Sequence, residues 1–138
     1  VSVTYGVVEP ADSNGVPTQE ENTFTALNAY YIPDGSGLPS VSVGYEIGDI
    51  GGAAANADEQ TSFMLGLSWD EVGPGSAGVA IGHSSTVENV DEAYQYEAYY
   101  SYPINDGMSI TPLIFTKDNV TSGKDDTTGV MVKTSFSF

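Results

Sequence analysis

The stretch SVSVGYEIG, residues 40–48, separates into two strings when every second residue is read. Val41, Val43, Tyr45 and Ile47 form one string; Ser40, Ser42, Gly44, Glu46 and Gly48 form the other. Successive side chains of a strand point to opposite faces, so this segment reads as a strand with one apolar face and one small, polar face. A helix would need apolar residues three and four apart, and no segment of the chain holds that period. The alternation recurs to the end. In GVMVKTSFSF, residues 129–138, Val130, Val132, Thr134, Phe136 and Phe138 alternate with Met131, Lys133, Ser135 and Ser137.

Outward from these two segments, the same pattern predicts eight strands, bounded by clusters of Gly, Pro, Asn and Asp. They fall at about Val1–Val8, Asn22–Ile32, Pro39–Gly48, Gln60–Trp69, Ala77–Ser84, Glu92–Tyr102, Gly107–Lys117 and Thr127–Phe138. At 138 residues the chain has the length of one domain.

Composition narrows the class. Charged residues make up 16% of the chain, below the ~25% of an ordinary soluble domain. Nineteen acids stand against three cations, a net charge of −16, which speaks against a nucleic-acid binder that works through phosphates. Nine Tyr, five Phe and one Trp are too many aromatics for an acidic disordered chain. There is no Cys, so disulfides and thiolate metal sites are ruled out. No run approaches the ~20 apolar residues of a membrane helix.

The connections between the predicted strands alternate in length. The long ones are EPADSNGVPTQEE (9–21), DIGGAAANADE (49–59), STVENVDE (85–92) and DNVTSGKDD (118–126); the short ones are PDGSGL (33–38), DEVGPGS (70–76) and PIND (103–106). In an up-and-down meander every second connection lies at the same end. One end is therefore trimmed and the other carries long, acidic loops, as in outer-membrane barrels. The aromatics group by level as well. Tyr30, Tyr31, Trp69, Tyr99, Tyr100, Tyr102, Phe136 and Phe138 fall toward the short-turn end, and Tyr5, Phe24, Tyr45, Phe63, Tyr94, Tyr96 and Phe115 toward the other. Two aromatic belts around an aliphatic band are expected of a barrel crossing two lipid interfaces.

From Tyr99 onward, YSYPINDGMSITPLIFTKDN followed by TGVMVKTSFSF resembles the end of the cyanobacterial OprB-like porins. The matching pieces are Tyr102-Pro103, Asn105-Asp106-Gly107, Ser109-Ile110-Thr111-Pro112 and Thr134-Ser135-Phe136-Ser137-Phe138, about the last third of the chain. The resemblance implies an antiparallel up-and-down transmembrane β-barrel, these residues being the C-terminal half of a roughly sixteen-stranded pore. It implies an outer-membrane location and passive diffusion of small hydrophilic solutes, with carbohydrates, inorganic ions or iron as permeants. It also implies a homotrimer, and it makes Phe136 and Phe138 the signature read by the barrel-assembly machinery. Family members carry an N-terminal surface-layer-homology domain that anchors to the cell wall. A soluble or surface-attached β-sandwich and a complete small barrel are the competing architectures. Small residues on the polar string, among them Ser62, Gly66 and Ser68, suit a wide aqueous lumen better than a filled narrow barrel.

Charges on the polar string mark the candidate pore lining: Glu46, Glu97, Lys117 and Lys133. A cation facing hydrocarbon at mid-depth costs about 2–4 kcal/mol, so these side chains belong in water. Loop acids such as Glu20, Glu21, Asp58, Glu59, Glu88, Asp91 and Glu92 would make one mouth negative and favour cations. The same acids also suit a surface adapted for solubility or high salt. The single His83, in Gly82-His83-Ser84-Ser85, admits a Ser–His–Asp arrangement, but a strand-end histidine at the rim is the better reading. No enzymatic activity and no cofactor are expected. Asp118-Asn119 and Asp125-Asp126 offer oxygen ligands for calcium without the spacing of a dedicated loop, so a solvated loop is expected there. Asn119-Val120-Thr121 matches a glycosylation sequon.

Overall fold

The computed structural model describes residues 1–9, 21–35, 37–51, 58–121 and 123–137. Eight strands form one sheet: β1 (Ser2–Val8), β2 (Asn22–Tyr31), β3 (Ser40–Asp49), β4 (Glu59–Val72), β5 (Gly75–Val87), β6 (Tyr94–Asn105), β7 (Met108–Lys117) and β8 (Thr127–Phe136). Their order in the sheet is their order in the chain, and every neighbouring pair is antiparallel. The fold is therefore all-β and up-and-down, as the alternation predicts. The sheet is open, with β1 and β8 as its two edges.

Strand positions agree with the sequence expectation, but three connections do not. Only Gly73 and Pro74 separate β4 from β5, so most of DEVGPGS is strand. Gly73 has φ 63°, the sign that a type II′ loop needs at its first position, and Pro74 fits the second. Likewise β6 runs through Asn105, leaving Asp106 and Gly107 as the turn, with Asn105 Oδ1 accepting from the Gly107 amide at 3.0 Å. The connection 32–39 is longer than the connection 88–93, so the length alternation is not strict. Strand continued where turn residues clustered because cross-strand pairing outweighs local turn preference.

Register fixes the faces. Across the middle of the sheet, Tyr31, Val41, Leu67, Val79, Ala98, Ile114 and Val130 oppose one another in turn and make one apolar row. The next row is Ala29, Val43, Leu65, Ile81 and Tyr96. Among the described residues nothing covers them: no hydrophobic residue is buried, and Val130, Val132 and Phe136 are 79%, 62% and 61% exposed. A soluble monomer rarely leaves a contiguous apolar surface of this extent.

Two prolines break the ladder where their missing N–H predicts. Between the Tyr99–Leu113 and Tyr102–Ile110 pairs, the β6–β7 ladder skips two pairs around Pro112 and resumes in the same register. Thr111 Oγ1 donates to Ser101 Oγ across that gap at 2.9 Å. A second irregularity follows Pro103.

Candidate functional site

The opposite face is small and polar. Its rows include Ser42, Gly66, Ala80, Glu97, Phe115 and Gly129, then Asn28, Gly44, Met64, Gly82, Gln95, Lys117 and Thr127. Glu46 lies between Ala26 and Ser62, and Lys133 opposes Thr111. All four candidate charges thus stand on this one face, at different levels. Among the described residues no ion pair joins them. The four side chains are two acids and two cations.

The carboxylates sit in shallow depressions. One, of about 450 Å³, is lined by Met64, Gly82, Gln95, Glu97 and Phe115; another, of about 340 Å³, by Asn28, Gly44, Glu46, Ser62 and Met64. Met64 borders both.

The aromatic groups need a correction. Tyr45, Phe63 and Tyr94 form an upper group on the apolar face with Tyr5 and Tyr96, while Tyr31, Trp69, Tyr100, Tyr102 and Phe136 lie lower on it. Phe24, Tyr30, Tyr99 and Phe115 instead stand on the polar face. Three of these have a glycine directly opposite on the neighbouring strand: Phe24 against Gly6, Tyr99 against Gly78, and Phe115 against Gly129. A Cβ placed at any of the three glycines would meet the facing ring. Each ring therefore lies over the backbone its partner leaves bare, packing that a sheet otherwise loses at glycine. The signal was in the sequence, since Phe115 follows Ile114 and the two cannot share a face.

His83 is on the apolar face, in a row between Phe63 and Tyr94. It is 7% exposed, with ring centroids 5.0 Å from Phe63 and 5.6 Å from Tyr94, both edge-on. Its Nδ1 lies 3.0 Å from the Ser84 carbonyl, which can only accept, so that nitrogen carries the proton and donates. Nε2 then faces Glu92 Oε1 at 3.8 Å, and Glu92 Oε2 accepts from the Tyr94 hydroxyl at 2.7 Å. No serine hydroxyl bonds His83 among the described residues. Tyr94→Phe should leave folding stability little changed in a denaturant titration, because it removes a solvent-exposed hydrogen bond and keeps the ring edge-on to His83.

In the connection 118–126 one carboxylate and one side-chain amide oxygen accept from backbone. Asp126 Oδ1 accepts from the Asn119 amide at 2.9 Å, and Asn119 Oδ1 from the Thr121 amide at 3.0 Å. Among the described residues no group of three or more acids or histidines is arranged to hold a metal. Glu20 and Phe138 lie outside the described residues.

The apolar face also carries a groove of about 690 Å³, lined by Leu65, Leu67, Val79, Ile81, Ala98 and Ile114. Compared with protein-family models, curated proteins and solved structures, the chain matches none.

Proposed function

We propose that this sheet is part of the wall of a transmembrane β-barrel of the porin type, admitting small hydrophilic solutes and ions by passive diffusion. One observation carries the reading. A sheet with no buried hydrophobic residue among those described presents an apolar face opposite a small-residue face that holds Glu46, Glu97, Lys117 and Lys133. Such a wall suits lipid on one side and water on the other. The open edges at β1 and β8 suit a barrel larger than eight strands, in keeping with the porin resemblance of the last third of the chain. In this reading the surrounding bilayer is the outer membrane, the assembly is a homotrimer, and Phe136 with Phe138 contact the barrel-assembly machinery.

The protein should require detergent to stay monodisperse and should give stepwise conductance in planar bilayers. A chain monodisperse in buffer alone overturns the proposal. The apolar groove favours a second reading, in which another β layer covers this face in a soluble or surface-attached sandwich. That architecture predicts a protein that is soluble without detergent and silent in bilayers.

A further inference from the structure

His83 is the chain's single histidine, and its side chain is 4% exposed, with the Phe63 and Tyr94 rings edge-on to it. Its Nδ1 proton is committed to the Ser84 carbonyl at 3.0 Å, which leaves Nε2 with a bare lone pair. What that lone pair meets is another acceptor. Glu92 Oε1 faces it at 3.8 Å, beyond hydrogen-bond reach. The carboxylate is fixed in its turn, because its other oxygen accepts from the Tyr94 hydroxyl at 2.7 Å. Two electron-pair donors thus face each other, each oriented by a hydrogen bond at its far atom. Metal-binding imidazoles and carboxylates are held in place by hydrogen bonds of this kind.

We infer that His83 Nε2 and Glu92 Oε1 form a site for one divalent transition-metal ion such as Zn²⁺, with water completing its shell and Tyr94 positioning the carboxylate. Two ligands of a tetrahedral zinc, each about 2.0–2.1 Å from the ion, stand roughly 3.3 Å apart, so the pair need close by only about half an ångström. Glu92 can supply that movement. Its side chain is 42% exposed, and it lies in the connection between β5 and β6, outside the sheet. An imidazole nitrogen favours zinc, copper or nickel, whereas calcium and magnesium prefer oxygen ligands alone. Glu59 and Glu88 border a depression of about 240 Å³ together with Glu92, and their charge draws cations toward it. A bound ion ties the connection 88–93 to β5. The site does not depend on the porin reading.

Calorimetric titration of the untagged protein with ZnCl₂ should give one ion per chain, with no competition from CaCl₂ or MgCl₂. Glu92→Gln keeps the side-chain shape and an acceptor for Tyr94 but loses the charge, so zinc affinity should fall at least about tenfold. Tyr94→Phe should also lower the affinity while leaving folding stability little changed, a split that a merely structural role would not produce. With one histidine and no cysteine in the chain, the ring-nitrogen resonances of His83 report the ion directly. Nε2 should shift on adding Zn²⁺ to wild type, and much less in Glu92→Gln at the same concentration. A His83 ring that does not respond to Zn²⁺ overturns the site, as does an affinity unaltered by Glu92→Gln or equal binding of Ca²⁺. A chain that binds zinc in this way yet opens no channel loses the porin reading and keeps the site.

Discussion

Leu65→Arg should lower folding stability by about 2–4 kcal/mol, whereas Met64→Arg, one residue earlier, should stay within about 1 kcal/mol. The two side chains are adjacent in β4 and about equally exposed, 38% and 45%, so neither burial nor strand position separates them. They differ in face. Leu65 sits between Val43 and Ile81 in the middle of the apolar band; Met64 sits between Gly44 and Gly82 on the polar face. If lipid covers the first face and water the second, an arginine is penalised only at Leu65. Urea titration of folding into lipid vesicles measures both. Equal losses would remove the assignment of the faces to lipid and water.

The second large effect concerns close backbone approach. A Cβ at Gly82 would meet the Phe63 carbonyl oxygen and come within 3.2 Å of Met64 Cα. Those are backbone atoms of β4, paired on both sides by β3 and β5, so they cannot move aside as a side-chain tip would. Gly82→Ala should therefore cost about 1–3 kcal/mol, the range for forcing extra volume into a packed site. At Gly66 the nearest atoms to a new Cβ are 3.8 Å away, Met64 Sδ and Ser42 Cβ. Gly66→Ala should be neutral to within about 0.5 kcal/mol, because the methyl group meets its neighbours at ordinary contact distance. Thermal or denaturant melts of the two variants, side by side, check this. Equal destabilisation would mean that the cost lies in glycine's conformational freedom and not in the contact with β4.

Much of the wall was legible because strand periodicity is a property of the backbone itself. SVSVGYEIG states its two faces without reference to any neighbour, and Glu46, Glu97, Lys117 and Lys133 each fall on the polar string of their own strand. The turns were read less well. DEVGPGS and PIND contain strong turn residues, yet β4 and β6 run on through Val72 and Asn105, since cross-strand pairing decides where a ladder ends. The aromatic grouping erred for a related reason. Position along a strand places Phe24, Tyr99 and Phe115 at a level, and only parity places them on a face.

The sequence by itself determined the eight strands, their alternation and the separation of apolar from small and polar residues. These follow from residues two apart on one chain. The tertiary structure decided what happens between strands: the glycines under Phe24, Tyr99 and Phe115, the shift between Thr61 and Phe63 that accompanies the longer β5, and the packing of His83 between Phe63 and Tyr94. Each of these depends on register, which a slip of one residue would reverse, and register is set only when neighbouring strands pair along their whole length.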